Sequence, residues 1–82
     1  MAFFPLLPQE QPKITFQQAA DFVMPYGEHK GERLDDIAIT DKGLLYLDWA
    51  YDEFDIGTDV YRHIEAYVTD KHIAKEIQDL IS

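Results

Sequence analysis

Two groups of residues in this 82-residue chain have the types and spacing to do chemistry. The first is the stretch MPYGEHKGERL, residues 24–34. It sets Tyr26, His29, Lys30 and Arg33 around a G-x-x-x-G turn. An aromatic ring beside cations suits one unstacked base or a phosphate, because every base has a face to stack and cations offset phosphate charge. Glu28 and Glu32 interleave with these cations and nearly cancel them. A solvated, partly ion-paired turn is therefore the competing reading. The spacing does not make a Walker loop, which needs G-x-x-x-x-G-K-[ST] to ring phosphates with amides and hold magnesium through a hydroxyl. Glu32 and Arg33 follow the second glycine instead, and the Glu32 carboxylate opposes a phosphate.

The second group is acidic. Asp48, Asp52, Asp55 and Asp59 recur at i, i+4, i+7 and i+11, the spacing of a single ridge if one helix carries them all. Like charges one turn apart cost a few tenths of a kcal/mol each, so such a ridge lowers stability slightly. Three uses compete: a solvated polar face, a surface for a basic partner or phosphate-row mimic, and a hard-cation site. The last needs converging oxygens, which a helix interrupted near Gly57 does not supply, and no D-x-D-x-D-G loop is present.

Other chemistries find little support. The chain contains no cysteine, so it offers no thiolate nucleophile or zinc ligand. No serine precedes Ser82, which excludes serine-based triads. His63 and His72 have no second histidine three or four residues away, and His63 with Tyr67 and His72 with Glu76 are the nearest pairs. No carboxylate pair stands out with the two contrasting environments that acid–base catalysis uses. The expectation is a non-enzymatic protein with no catalytic residue, no metal and no cofactor.

Charge and composition narrow the class. Net charge is −9, from 16 acidic and 7 basic residues. Between Asp35 and Asp59 stand eight acids and one base, Lys42, so this segment carries −7. That surface repels a duplex phosphate backbone. A hydrophobic fraction of 46% argues for a folded domain. No apolar run is long enough to span a membrane, and MAFFPLL lacks the basic start and length of a secretory signal. The chain reads as cytoplasmic.

The elements that must position these groups follow from periodicity. Pro5, Pro8 and Pro12 make residues 1–14 an extended arm before a single domain over residues 15–82. Thr15 and Gln18 form a capping-box pattern for a short helix over 16–22. The segment 23–37 reads as a β-hairpin. Val23 to Tyr26 pairs with Glu32 to Ile37, Gly27 to Gly31 makes the turn, and Pro25 keeps its strand at an edge. Asp41 is the candidate cap of the next helix, with Leu44, Leu47, Tyr51 and Phe54 on one face, Leu45 and Trp49 widening it, and Gly57 stopping it. Trp49 and the tyrosines at helical spacing read as core. Thr58 caps a second amphipathic helix through Val60, Ile64, Tyr67 and Val68, and Asp70 caps a third through Ile73, Ile77, Leu80 and Ile81. The predicted fold is α+β: a small β-hairpin packed against three C-terminal helices, with a short preceding helix.

Residues MPYGEHKGERLDDI followed by LLYLDW resemble a small domain family with the pattern M-P-[FWY]-G-K-[HY]-K-G-x-x-L-x-[DE]-[IV], then Y-L-x-W. The family includes the C-terminal domain of exodeoxyribonuclease X-like proteins. It also includes short bacterial and phage proteins labelled quorum-sensing-regulated virulence factors. Met24, Pro25, Tyr26, Gly27, His29, Lys30, Gly31, Leu34, Asp36, Ile37, Tyr46, Leu47 and Trp49 carry the match, and the tail AYVTDKHIAKEI is similar too. The resemblance implies the hairpin-plus-helices fold and an association with DNA metabolism. It does not imply exonuclease activity, because the catalytic acids of such nucleases lie in a separate domain. Glu28 stands where the pattern has lysine, which counts against an inherited phosphate contact.

These readings predict an accessory or interaction module. Its ligand-binding turn is Tyr26, His29, Lys30 and Arg33, and its partner is a protein, with single-stranded nucleic acid as a further candidate. The alternative is an acidic inhibitor or DNA mimic that engages a basic protein surface through Asp48, Asp52, Asp55 and Asp59.

Overall fold

Side-chain caps set where the helices begin. In the computed structural model, which describes residues 13–82, the Thr15 hydroxyl accepts from the Gln18 amide while the Gln18 side chain accepts from the Thr15 amide. This reciprocal pair starts α1 (Phe16–Ala20). After α2 (Leu34–Ile37), Thr40 caps α3 (Asp41–Glu53) through the Gly43 amide. Thr58 caps α4 (Asp59–Val68) through Tyr61, and Asp70 caps α5 (Lys71–Ile81) through His72. The expected cap Asp41 is instead the first residue of α3, where its charge still favours the positive end of the helix dipole. The proline arm expected over residues 1–14 falls almost wholly outside the described residues.

The α+β expectation is overturned. Among the described residues there is no strand; the only ladder contact is one isolated antiparallel bridge between Val23 and Arg33. The presumed return strand is helix α2 from Leu34 onward. Side-chain parity explains the difference. Residues 34 and 37 are an odd number apart, so an extended strand would point them to opposite faces, whereas one helical turn points both inward. Leu34 and Ile37 are 0% and 2% exposed. The opposite limb is limited too, because Pro25 has no amide to extend pairing. The chain therefore makes a closed loop, not a hairpin. Met24 donates to Glu32 at 3.0 Å, and Gly31 donates back to Met24 at 2.9 Å.

Helix α4 is the centre of the packing and contacts α1, α3 and α5, while α2 wedges between α1 and α3. The core takes Ala19 and Ala20 from α1, Leu44, Leu47 and Ala50 from α3, Ile64 and Tyr67 from α4, and Ile73 and Ile77 from α5. The three C-terminal helices form as the periodicity places them, with Leu44, Leu47, Val60, Ile64, Tyr67, Val68, Ile73 and Ile77 buried, but of the residues expected on their inner faces Leu45, Trp49 and Ile81 are exposed. Helix α3 ends earlier than expected. Phe54 adopts extended dihedrals, φ −77° and ψ 154°, and Gly57 at φ 96° shapes the connection that follows. No helix among the described residues is long and apolar enough to cross a membrane.

Candidate functional site: an aromatic groove beside the turn

The turn is built by its two glycines. Gly27 and Gly31 have φ of 89° and 88°, a region that costs an L side chain roughly 1–2 kcal/mol. Lys30 donates to the Gly27 carbonyl at 3.2 Å and Glu32 to that of His29 at 3.0 Å, which tightens the loop. The G-x-x-x-G spacing is explained by these dihedrals.

The basic residues of the turn diverge. Arg33 is held by two carboxylates: Nη1 lies 2.8 Å from Asp21 Oδ1, while Nη2 and Nε lie 3.1 and 3.2 Å from the two oxygens of Asp36. The forked pair with Asp36, then Asp21, raises the guanidinium's pKa. His29 folds back, with Nδ1 3.3 Å from Glu32 Oε2 and its ring edge-on to Tyr46 at 4.5 Å between centroids. Lys30 is exposed. Of the four turn residues, only Tyr26 reaches the concave surface beside the loop.

That surface is an open groove of about 380 Å³, lined by Tyr26, Gly27, Glu28, Tyr46, Trp49 and Phe54. Tyr46 and Trp49 are one turn apart on α3, with centroids 5.7 Å apart. Because the chain leaves the helix at Phe54, that ring folds back edge-on to Trp49 at 6.1 Å and meets Tyr26 at 6.0 Å. Four rings thus run continuously from the turn to the end of α3. The loop lies against them at Gly27, where a Cβ would be in ordinary contact with the Tyr46 hydroxyl at 3.4 Å, so it is the positive φ and not lack of space that favours glycine there. Burial raises the pKa of the Tyr46 phenol, and the negative charge of Glu28 raises it further.

Trp49 is 51% exposed, so it is not a core residue, and Leu45 lies at the surface as well. The buried face of α3 is Leu44, Leu47 and Ala50, and Tyr46 and Trp49 lie beside it. Tyr67 is core, while Tyr51 and Tyr61 are half-buried and stack on each other at 5.6 Å. The sequence named Tyr26 as a site residue and missed Glu28, Tyr46, Trp49 and Phe54. The readable signal was that residues 44 and 47 already fill the inward stripe, leaving 46 and 49 on another.

The acidic residues do not form one ridge. Asp48 and Asp52 share α3 one turn apart, whereas Asp55 lies beyond its end and Asp59 opens α4. Asp59 Oδ1 is 3.5 Å from Arg62 Nη1. Among the described residues, Asp48, Asp52 and Asp55 pair with no cation, and no group of three or more metal-ligating side chains is placed to hold an ion. His63 stacks on Phe22 at 4.1 Å and its Nδ1 meets the Asp59 carbonyl at 2.7 Å. Compared with protein-family models, with curated proteins and with solved structures, the chain matches none.

Proposed function

We propose that this protein is a non-enzymatic accessory module that docks a protein partner through the groove between the GEHKG turn and helix α3. The observation that carries the reading is that Tyr26 and Trp49, each 51% exposed, stand over one open groove. Aromatic rings bury 150–250 Å² each on contact and dominate interface energetics, so leaving two of them half in water fits a docking surface. The groove also takes in Tyr26, Gly27, Tyr46 and Trp49, four positions on which the family resemblance rests. That resemblance is the basis for placing the module in DNA metabolism. Affinity capture from a lysate tests the reading: the Tyr26→Ala/Trp49→Ala double variant should lose partners that the unaltered chain retains. An identical captured set would overturn it.

A second reading is an acidic inhibitor or DNA mimic acting through Asp48, Asp52, Asp55 and Asp59. Its support is that three of these carboxylates lack a cation among the described residues. Asn substitutions at all four positions should then abolish capture while the groove variant leaves it intact.

A further inference from the structure

We infer that the groove accepts an arginine side chain from a basic segment of the partner protein, with the guanidinium held between the Tyr26 and Trp49 rings and the Glu28 carboxylate. This inference rests on the docking reading above and names the occupant.

The groove combines apolar aromatic walls with one carboxylate. Aromatic faces attract a cation through the ring quadrupole, most strongly at Trp, and a guanidinium also stacks on them. Glu28 is the charged residue in the lining. A planar guanidinium matches a carboxylate with two parallel N–H···O bonds, which a point-charge ammonium does not. Acidic residues continue along the chain beyond Trp49. Residues three and four positions along a helix are neighbours, so Asp52 and Glu53 flank Trp49 on α3, and Asp55 follows Phe54. His29, edge-on to Tyr46 and beside the Glu32 carboxylate, Lys30 on the loop and Lys42, one turn before Tyr46, are the bases nearest in sequence. Arg33, the base best suited to a phosphate, is already committed to Asp21 and Asp36.

The same charges disfavour the other occupants. A nucleic-acid base would bring its phosphate towards Glu28 and the acidic end of α3. A second copy would bring another −9 chain to the surface. The first twelve residues of the chain carry Glu10 and neither lysine nor arginine, so they offer no guanidinium.

Trp49 is the chain's single tryptophan, so its fluorescence reports on the groove directly. The full chain is titrated with an acetylated, amidated Gly-Arg repeat peptide at moderate salt, alongside the same peptide with citrulline for arginine. Saturable change with the arginine peptide and none with the citrulline peptide is expected. Glu28→Gln should weaken binding roughly tenfold, and Tyr26→Ala about threefold. Glu65→Gln, an equal charge change on α4 outside the groove, should leave it unaltered. Equal losses in Glu28→Gln and Glu65→Gln would reduce the effect to bulk charge and overturn the inference. So would equal binding of the citrulline peptide, or tighter binding of oligo-thymidine. Concentration-dependent dimerisation lost in Trp49→Ala would assign the groove to a second copy. Trp49 shielded from acrylamide in the unliganded full chain would assign it to the chain's own first twelve residues. No response to the arginine peptide, with partner capture still dependent on Tyr26 and Trp49, would remove the arginine and leave the docking surface standing.

Discussion

Gly43 of α3 and the carbonyl of Ile37 at the end of α2 are in such close approach that a Cβ on Gly43 would lie 1.7 Å from the Ile37 oxygen. The contact is backbone against backbone, so no rotamer change relieves it. It sets how tightly α2 wedges against α3, and with that the position of the loop over the groove. Gly43→Ala should lower unfolding free energy by about 2 kcal/mol or more through overpacking. The gain of about 1 kcal/mol in helix propensity does not offset this. Urea denaturation followed by far-UV circular dichroism measures it.

Gly31 and Gly27 share a backbone conformation but not surroundings. Nothing lies within 4 Å of a Cβ on Gly31, while one on Gly27 touches Tyr46. Gly31→Ala should therefore cost the strain alone, roughly 1–2 kcal/mol, and Gly31→Asn less, since asparagine tolerates positive φ. Gly27→Ala should cost a similar amount of stability, and its methyl, in ordinary contact with the Tyr46 hydroxyl, should alter the surroundings of the groove, visible as a small shift in Trp49 emission. A Gly31→Ala variant with the same emission shift would contradict the separation of roles.

The helical scaffold was legible because its signals are local. Thr15, Thr58 and Asp70 cap helices as their spacing to the next amides requires, and the stripes through Ile64 and Ile77 bury as the 3.6 period places them. The hairpin was misread because GEHKG is good turn chemistry and turn chemistry alone suggests strands on both sides. Parity at Leu34 and Ile37 was the opposing signal. The groove was only partly legible. Tyr26 is placed by the turn, but Phe54 reaches Trp49 only because the backbone becomes extended at residue 54, and a helical repeat counts that residue as one more core position.

Tyr67 links α4 to α2: its hydroxyl donates to Asp35 Oδ1 at 2.9 Å, and the ring is 1% exposed and stacks on Phe16 at 5.0 Å. Burial first, then the Asp35 hydrogen bond and charge, raise the phenol's pKa above its ordinary value. A phenol raised in the folded state stabilises fully below its unfolded pKa, near 10, and that contribution is lost as pH rises through the folded value. The Tyr67 contribution should thus be constant with pH around neutrality and fall above about pH 10. Tyr67→Phe should cost about 0.5–1.5 kcal/mol at pH 7 and flatten the alkaline limb. Thermal unfolding between pH 7 and 11 checks both. An equally steep alkaline limb in Tyr67→Phe would assign the loss to other groups.

The four aspartates of the supposed ridge should respond with opposite signs. Asp48 and Asp52 are like charges one turn apart on α3, so Asp48→Asn should raise stability by a few tenths of a kcal/mol at low salt. Asp59 sits in the first turn of α4 beside Arg62, where negative charge meets the positive end of the helix dipole. Asp59→Asn should lower stability by about 0.3–1 kcal/mol. Asp55 uses its backbone carbonyl, which accepts from the Thr58 amide and hydroxyl, so Asp55→Asn keeps that contact and should be close to neutral. Both effects should shrink together in 1 M salt, where screening shortens to about 3 Å. Chemical denaturation at low and high ionic strength separates them. A continuous ridge on one helix would instead make every substitution stabilising, so a loss at Asp59 beside a gain at Asp48 ties the acidic residues to two different elements.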